Sequence, residues 1–323
     1  MLTAETRLGD NREILRDYPE QSFDVCICDP PYEIGLMGQS WDKGSGAHDP
    51  ATWELIGSRL KPGSWVAAFG ARRTVHRLTT AMEQAKLDIV NQLIWIYTTG
   101  AVTNRNTQFK SSWEPIVLAQ VPTKRSIKAT VAQYGTGYLN VDDIRIPYAS
   151  AEDLAATRAK NPGSAKTFTS TVYGTNRPQQ RVNGDGRHPA DLILDDGAAG
   201  IFGDDQRFFH ICPKASKKER DAGLDGTDGI TANPHQAVKP IELLRLLAAG
   251  LCPVGGTILD PYMGSGSGGC AAVLENRSYL GIEEDPVYAQ VADMRIEHWR
   301  NNPAPALRDV RFRPIVGGRM GLV

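Results

Sequence analysis

The apolar positions of the first 120 residues come in short runs separated by amphipathic stretches. FDVCICDP (23–30) is an apolar, strand-like run that ends in a Pro-Pro turn. Asp49-Pro50 pairs a capping side chain with a proline at the first helical position, which predicts a helix to about Leu60. SWVAAFG (64–70) predicts a buried strand, RTVHRLTTAMEQA (73–85) a helix, and IVNQLIWIY (89–97) and WEPIVLAQ (113–120) two further strands. Strands spaced by helices predict parallel βαβ units and an α/β fold.

From about 121 to 232 the pattern changes. Gly, Asn, Thr and Asp are frequent, and the strand candidates GYLNVDDIRI, ADLILDD and RFFHIC stand without a long amphipathic helix between them. An inserted module with much loop is expected there. Periodicity returns over 233–302. PIELLRLLAAGL (240–251) predicts a helix with Pro240 at its first position, and GTILD (256–260) a strand. GGCAAVLEN (268–276) predicts a helix, SYLGIEED (278–285) a strand ending in acids, and VYAQVADMRIEHW (287–299) a helix. The tail, 303–323, carries Arg308, Arg311, Arg313 and Arg319 and is expected to fray.

Charge first argues against a nucleic-acid partner. Thirty-six Lys and Arg balance 37 Asp and Glu across 323 residues, so no overall positive field attracts phosphates. A local excess changes that picture. Between 154 and 190, Arg158, Lys160, Lys166, Arg177, Arg181 and Arg187 meet a single acid, Asp185. Phe168, Tyr173, Asn176, Gln179, Gln180 and Asn183 are interleaved with them. Arginine can read guanine, and Asn or Gln adenine, in a major groove. The charged N-terminus has no apolar signal core, and no long apolar window suggests a membrane span. The five cysteines are scattered without a CxxC pair, which argues against a disulfide framework or a zinc site and for a cytosolic protein. Cys26 and Cys28 share one strand face and read as core thiols.

Two motifs carry chemistry. Gly264-Ser265-Gly266-Ser267-Gly268-Gly269 matches GxGxxG between a strand and a helix, with Glu283 and Glu284 at the next strand end. Glycines let the backbone approach a nucleoside, and a strand-end carboxylate can accept ribose hydroxyls. A nicotinamide dinucleotide is the rival ligand. Asp260-Pro261 precedes the glycines, and a buried anion there would repel a pyrophosphate. It suits a cofactor bearing an ammonium and a sulfonium, which is S-adenosylmethionine.

The second motif is Asp29-Pro30-Pro31-Tyr32, at the end of the strand FDVCIC. Its chemistry suits an exocyclic amine whose lone pair is tied up in an aromatic ring. Asp29 can accept one N–H, and a backbone carbonyl held by two prolines the other. Holding both protons pulls the nitrogen towards tetrahedral geometry and frees its lone pair for in-line attack. Tyr32 offers a face on which the base can stack.

Together these motifs resemble the β group of DNA amino-methyltransferases, in which the catalytic motif precedes the cofactor motif. The family's (D/N/S)PP(Y/F) is similar to Asp29–Tyr32, and its LDPFxGSGTT to the stretch Leu259–Gly268 with Asp260, Pro261, Tyr262, Gly264, Ser265 and Gly266. Its HPTxKP is similar to His235–Pro240, with Lys239 and Pro240 kept and Ala237 in place of a hydroxyl residue. Its GIE matches Gly281-Ile282-Glu283, and its N-terminal GD, which in the family reaches the cofactor adenine, matches Gly9-Asp10. LKPGSWVAAF and SWEPIVLA resemble further family segments.

The resemblance implies a Rossmann-like methyltransferase fold with circularly permuted motif order. The catalytic part would be 1–120, an inserted target-recognition region 121–232, and the cofactor part 233–302. Asp10, Lys239, Pro240, Asp260, Pro261, Tyr262, Gly264, Ser265, Gly266 and Glu283 would hold S-adenosylmethionine, and no metal is needed. Double-stranded DNA would be the substrate, with the target nucleotide flipped out to reach Asp29. Asp at the first motif position accompanies adenine N6 more often than cytosine N4. The loop EIGLMGQSWDKGSGAHD is expected to close over the base with Trp41 as an apolar contact. The basic run 154–190 falls in the implied recognition region. Glutamine or RNA methylation, an inactive DNA-binding remnant, and a dinucleotide-dependent oxidoreductase remain alternatives. The resemblance leaves a homodimer open.

Overall fold

A computed structural model describes residues 2–34, 46–100, 109–160, 168–169, 176–177, 182–226, 229–305 and 307. Its strands are β1 (Ala4–Leu8), β2 (Phe23–Cys28), β3 (Leu60–Phe69), β4 (Asp88–Ile96), β5 (Trp113–Gln120), β6 (Phe168–Thr169), β7 (Asn176–Arg177), β8 (Leu192–Leu194), β9 (His210–Ile211), β10 (Thr257–Asp260) and β11 (Ser278–Glu283). The helices are α1 (Asn11–Ile14), α2 (Pro50–Arg59), α3 (Val75–Gln84), α4 (Ile127–Tyr134), α5 (Ala151–Lys160), α6 (Asp196–Phe202), α7 (Lys217–Arg220), α8 (Ile241–Leu251), α9 (Ser267–Leu274) and α10 (Pro286–Asn301).

Nine strands form one sheet in the order β1-β11-β10-β2-β3-β5-β4-β8-β9. All neighbours run parallel except β5, which is antiparallel to both β3 and β4. The apolar run WEPIVLAQ gives a strand but not its direction. β4 and β5 follow each other and pair directly, which a chain does most simply by reversing.

β2 is buried at every position, as a central strand with helices on both faces requires. Its alternate residues feed two cores. Val25 and Ile27 pack with α8, α9 and α10 on one face, while Cys26 and Cys28 pack with Trp53, Ile56, Leu78 and Met82 on the other. All five cysteines are free and buried. At the opposite end of the strand, Asp24 accepts from Lys61 Nζ at 2.6 Å and from the Thr257 backbone N–H at 2.8 Å. One carboxylate thus ties β2 to β3 and β10 and helps set their register.

Three local readings come out differently. The N-terminal stretch, charged and without a strand signal of its own, contains β1, which pairs with β11 along the sheet edge. GYLNVDDIRI is a 3-10 turn (Val141–Ile144) followed by an isolated bridge between Ile146 and Arg187. Two adjacent acids and an Asn favour a turn there over a ladder. The zone 121–232 also reaches into the sheet: β8 pairs with β4, and β9 with β8, both parallel. Among the described residues no helix is long and apolar enough to cross a membrane.

Candidate active site

The two motifs meet because β2 and β10 are adjacent and parallel, with Ile258 opposite Val25 and Leu259 opposite Cys26. Each motif leaves its strand at the carboxyl edge, where open α/β sheets bind ligands. Beyond Cys28, Pro30 and Pro31 lack the N–H that a ladder needs, so the strand stops and Asp29 stands at its mouth. Tyr32 is held at both ends. Its carbonyl accepts from Thr74 Oγ1 at 2.9 Å, and its hydroxyl donates to Asp29 Oδ1 at 2.9 Å and contacts Glu114. A narrow cleft beside it is lined by Pro30, Pro31, Tyr32, Phe69 and Val75.

Lys239 comes to this end of the sheet. It precedes α8, whose first N–H is capped by Glu219 Oε1 at 2.8 Å. Its Nζ donates to Asp29 Oδ2 and to the Tyr32 hydroxyl at 3.2 Å, and lies 3.1 Å from Glu114 Oε1. Burial opposes the ammonium charge, but Asp29 and Glu114 outweigh it and hold the Lys239 pKa above its ordinary value. Burial beside the same two carboxylates keeps the Tyr32 phenol protonated. Pro240 is the N-cap of α8 rather than its first turn.

The glycine turn is built for close approach. Gly264 and Gly266 have φ of 53° and 80°. A Cβ on Gly268 would lie 2.6 Å from Asp260 Oδ2. Glu283 Oε2 accepts the Gly264 N–H at 2.8 Å, so the strand-end acid is part of the turn. Below the turn, Arg295 on α10 is wholly buried and donates from Nη1 to the Ser265 carbonyl at 2.5 Å and to Ser267 Oγ at 3.2 Å. His235 packs against Gly264 and edge-on to Tyr288, and burial pushes its pKa down to about 4, leaving it neutral near pH 7. Asn233 Nδ2 donates to Ser265 Oγ at 3.0 Å, which fastens the segment before Lys239 to the turn.

Asp260 accepts from the Tyr279 hydroxyl at 3.0 Å and the Tyr262 N–H at 3.2 Å. Among the described residues no cation pairs with it. Burial, with Asp29 and Glu283 adding to it against those hydrogen bonds, raises its pKa to about 7. Asp10 caps α1 and pairs with Arg12 at 3.1 Å; burial works against its charge, but the Arg12 hydrogen bonds prevail and its pKa falls. The Gly9 N–H donates to the Glu283 carbonyl at 2.8 Å, and Asn11 Nδ2 to that of Pro261 at 2.9 Å. Gly9-Asp10 therefore lies beside the cofactor strands.

The profile of the DNA methylase family, whose members act as N6 or N4 methyltransferases, matches residues 23–294. The chain belongs to this family. The type II methyltransferase M.ScaI of Streptomyces caespitosus is 24% identical over 297 residues, which are 90% of this methylase and 80% of that protein. The type II methyltransferase M.BglI of Bacillus subtilis is 36% identical over 78 residues, and that match spans 23% of this methylase and only 22% of M.BglI. The solved PvuII DNA methyltransferase (cytosine-N4-specific) has the same fold, with a TM-score of 0.57 at 14% identity over 91% of this chain and 87% of that one. The Rossmann-like methyltransferase fold expected from the motifs is the fold observed.

The cofactor of this methylase is S-adenosylmethionine, and the residues present fit it. A buried carboxylate without a cationic partner, under a turn that admits no Cβ, suits a ligand that brings its own positive charge. The DNA-contact candidates are less assembled. Arg158 and Lys160 are exposed on α5, and Arg177 lies in the β6–β7 ribbon. Arg187 turns inward, donating to Asp153 Oδ1 at 2.7 Å and stacking on Tyr148 and Phe208. Trp41, Lys166 and Arg181 lie outside the described residues.

Glu114 is the site residue that the motifs missed. Because β5 runs antiparallel, its first residues, not its last, lie at the carboxyl edge of the parallel strands. Its signal was present as the SWEPIVLA resemblance, without a direction to say which end mattered.

Proposed function

We propose that this chain transfers a methyl group from S-adenosylmethionine to N6 of adenine in double-stranded DNA, after the target nucleotide is flipped out of the helix. One observation carries the reading: Asp29 and the Asp260–Gly264 turn stand at the same edge of adjacent parallel strands. The bound cofactor would present an activated methyl group on its sulfonium. Asp29 accepts one amine N–H and orients the nitrogen, the proline-fixed backbone accepts the other, and Tyr32 supports the ring. Asp260, Glu283 and the glycine turn hold the cofactor, with Gly9-Asp10 and the segment ending in Lys239-Pro240 alongside.

The DNA backbone would be contacted by Arg158, Lys160, Lys166, Arg177 and Arg181, and the flipped base covered by Trp41. Arg187 joins them only by releasing Asp153. The type II relatives support a role as the modification enzyme of a restriction pair, acting in the cytoplasm of a bacterium or a phage-infected host. Cytosine N4 is the competing target; the first motif position, Asp29, favours adenine.

The test is to express the protein in a strain lacking its own DNA methylation and sequence the DNA with detection of modified bases. N6-methyladenine in a defined motif is expected; N4-methylcytosine instead would reassign the atom, and unmodified DNA would overturn the reading.

A second expectation concerns pH. Burial raises the folded pKa of Asp260 from the ordinary carboxylate range to about 7, so the folded chain holds that proton more tightly up to about pH 7. This contribution to stability is full at acid pH and disappears as pH rises towards 7. A cofactor cation reverses the preference by favouring the carboxylate. Binding of S-adenosylmethionine should therefore release up to one proton near pH 7 and tighten between about pH 6 and 8. Calorimetry in buffers of different ionisation enthalpy reads the proton directly, and Asp260→Asn should remove it. An equal proton release by Asp260→Asn would refute the assignment.

A further inference from the structure

Every donor of Lys239 and both oxygens of Asp29 are engaged. The ammonium contacts Asp29 Oδ2, the Tyr32 hydroxyl at 3.2 Å and Glu114 Oε1 at 3.1 Å, and the other Asp29 oxygen accepts from Tyr32 at 2.9 Å. Lys239 therefore occupies the seat the reaction requires for an amine. A lysine ammonium and an exocyclic amine are both N–H donors, and each satisfies Asp29 in the same way. They do not suit the transition state equally. Positive charge moves from sulfur to the base nitrogen as the methyl group transfers, and an ammonium fixed on Asp29 would oppose it.

Two carboxylates share this one cation. Glu114 starts β5, which stands two strands farther from the glycine turn's strand β10 than β2, the strand that leads to Asp29, does. It offers the ammonium a counter-ion that does not lie on the reaction line.

We propose that Lys239 is a placeholder for the target amine, seated on Asp29 while the base is absent and withdrawing to Glu114 when the base arrives. Glu114 is then a positioning residue: it acts through Lys239 and never touches the methyl group. The inference rests on the amine-methylation reading above and adds to it a reason for the two further charges, Lys239 and Glu114, beside Asp29. The free enzyme avoids leaving the half-buried Asp29 unpaired, and the arriving amine meets a carboxylate already held in place by Tyr32. At the moment of transfer the carbon–sulfur bond breaks, the carbon–nitrogen bond forms, and the surplus proton of the nitrogen leaves to solvent. Lys239 neither gives nor takes a proton.

The test uses the full chain, tritiated S-adenosylmethionine and unmethylated plasmid DNA. Glu114→Gln removes the alternative counter-ion and leaves Lys239 bound to Asp29. The expected result is a kcat lower by about tenfold or more, with cofactor Kd by calorimetry and melting temperature near wild type. Lys239→Met added to Glu114→Gln removes the cation that blocks the seat and should recover about threefold or more of that loss. A residue that merely supports the fold would give the opposite, with the double variant slower still. An unchanged kcat for Glu114→Gln, or a double variant no faster than Glu114→Gln, overturns the placeholder. Failure of the wild-type protein to label DNA overturns the amine-methylation reading itself, and the placeholder with it, so the two failures are distinct.

Discussion

Asp29→Ala should abolish methyl transfer, lowering kcat by about a thousandfold or more, while S-adenosylmethionine still binds. A loss of that size is about 4 kcal/mol of barrier at 1.36 kcal/mol per decade. Asp29 supplies two effects that alanine cannot. In the proposed reaction it fixes the amine in line with the methyl group and places negative charge where positive charge develops. Cofactor binding should survive because the glycine turn is held by Glu283, Arg295 and Asn233, none of which touches Asp29. Lys239 keeps Glu114 as a partner, so the variant also keeps a counter-ion for that buried ammonium. Tritium transfer and calorimetric titration of the cofactor separate the two quantities. Residual transfer within about tenfold of wild type would remove Asp29 from the chemistry.

The second large effect falls on the glycine turn. Gly266 has φ of 80°, and a Cβ there would lie 2.7 Å from Ala292 Cβ and 2.8 Å from Ala292 Cα on α10. Neither contact is with the far end of a flexible side chain, so the turn or the helix must move. Gly266→Ala should cost about 3 kcal/mol of stability, combining an unfavourable left-handed residue with overpacking. It should also weaken cofactor binding by about a hundredfold, because the same movement shifts the backbone that the ligand approaches. Denaturant unfolding and cofactor titration test both parts, and a variant within about 0.5 kcal/mol of wild type would contradict the packing described. Gly229, whose added Cβ meets nothing within 4 Å, makes a useful contrast on stability alone.

Much of this site was legible in the sequence because its parts depend on backbone chemistry that few residues can supply. A strand broken by two prolines and a turn needing positive φ leave direct marks, and Asp29, Gly264 and Gly266 are where those marks fall. What escaped were features set by pairing. WEPIVLAQ reads as a strand in either direction, yet only the antiparallel choice carries Glu114 to the site. Lys239 was assigned to the cofactor by its motif, while its side chain reaches across to Asp29. Arg295 sits in a helix that reads as ordinary and amphipathic, and nothing local tells that it is buried under the turn. The basic run 154–190 shows the limit of counting charge: Arg187 belongs to Asp153 and two aromatic rings, although in the sequence it looks like its neighbours.

The order of the sheet bears on how the chain is made. Among the described strands β1, the earliest in the sequence, pairs with β11, the latest. β2 likewise keeps an open edge until β10 slides in beside it. Before that moment a growing chain carries a complete Asp29 motif beside an exposed strand edge, the kind of edge that invites pairing with other chains. Contacts that span nearly the whole chain also form slowly. A molecule cut short ahead of β10 should therefore be a hazard for aggregation, not a weak enzyme, and methylating power should arrive only once β10 and β11 are in place.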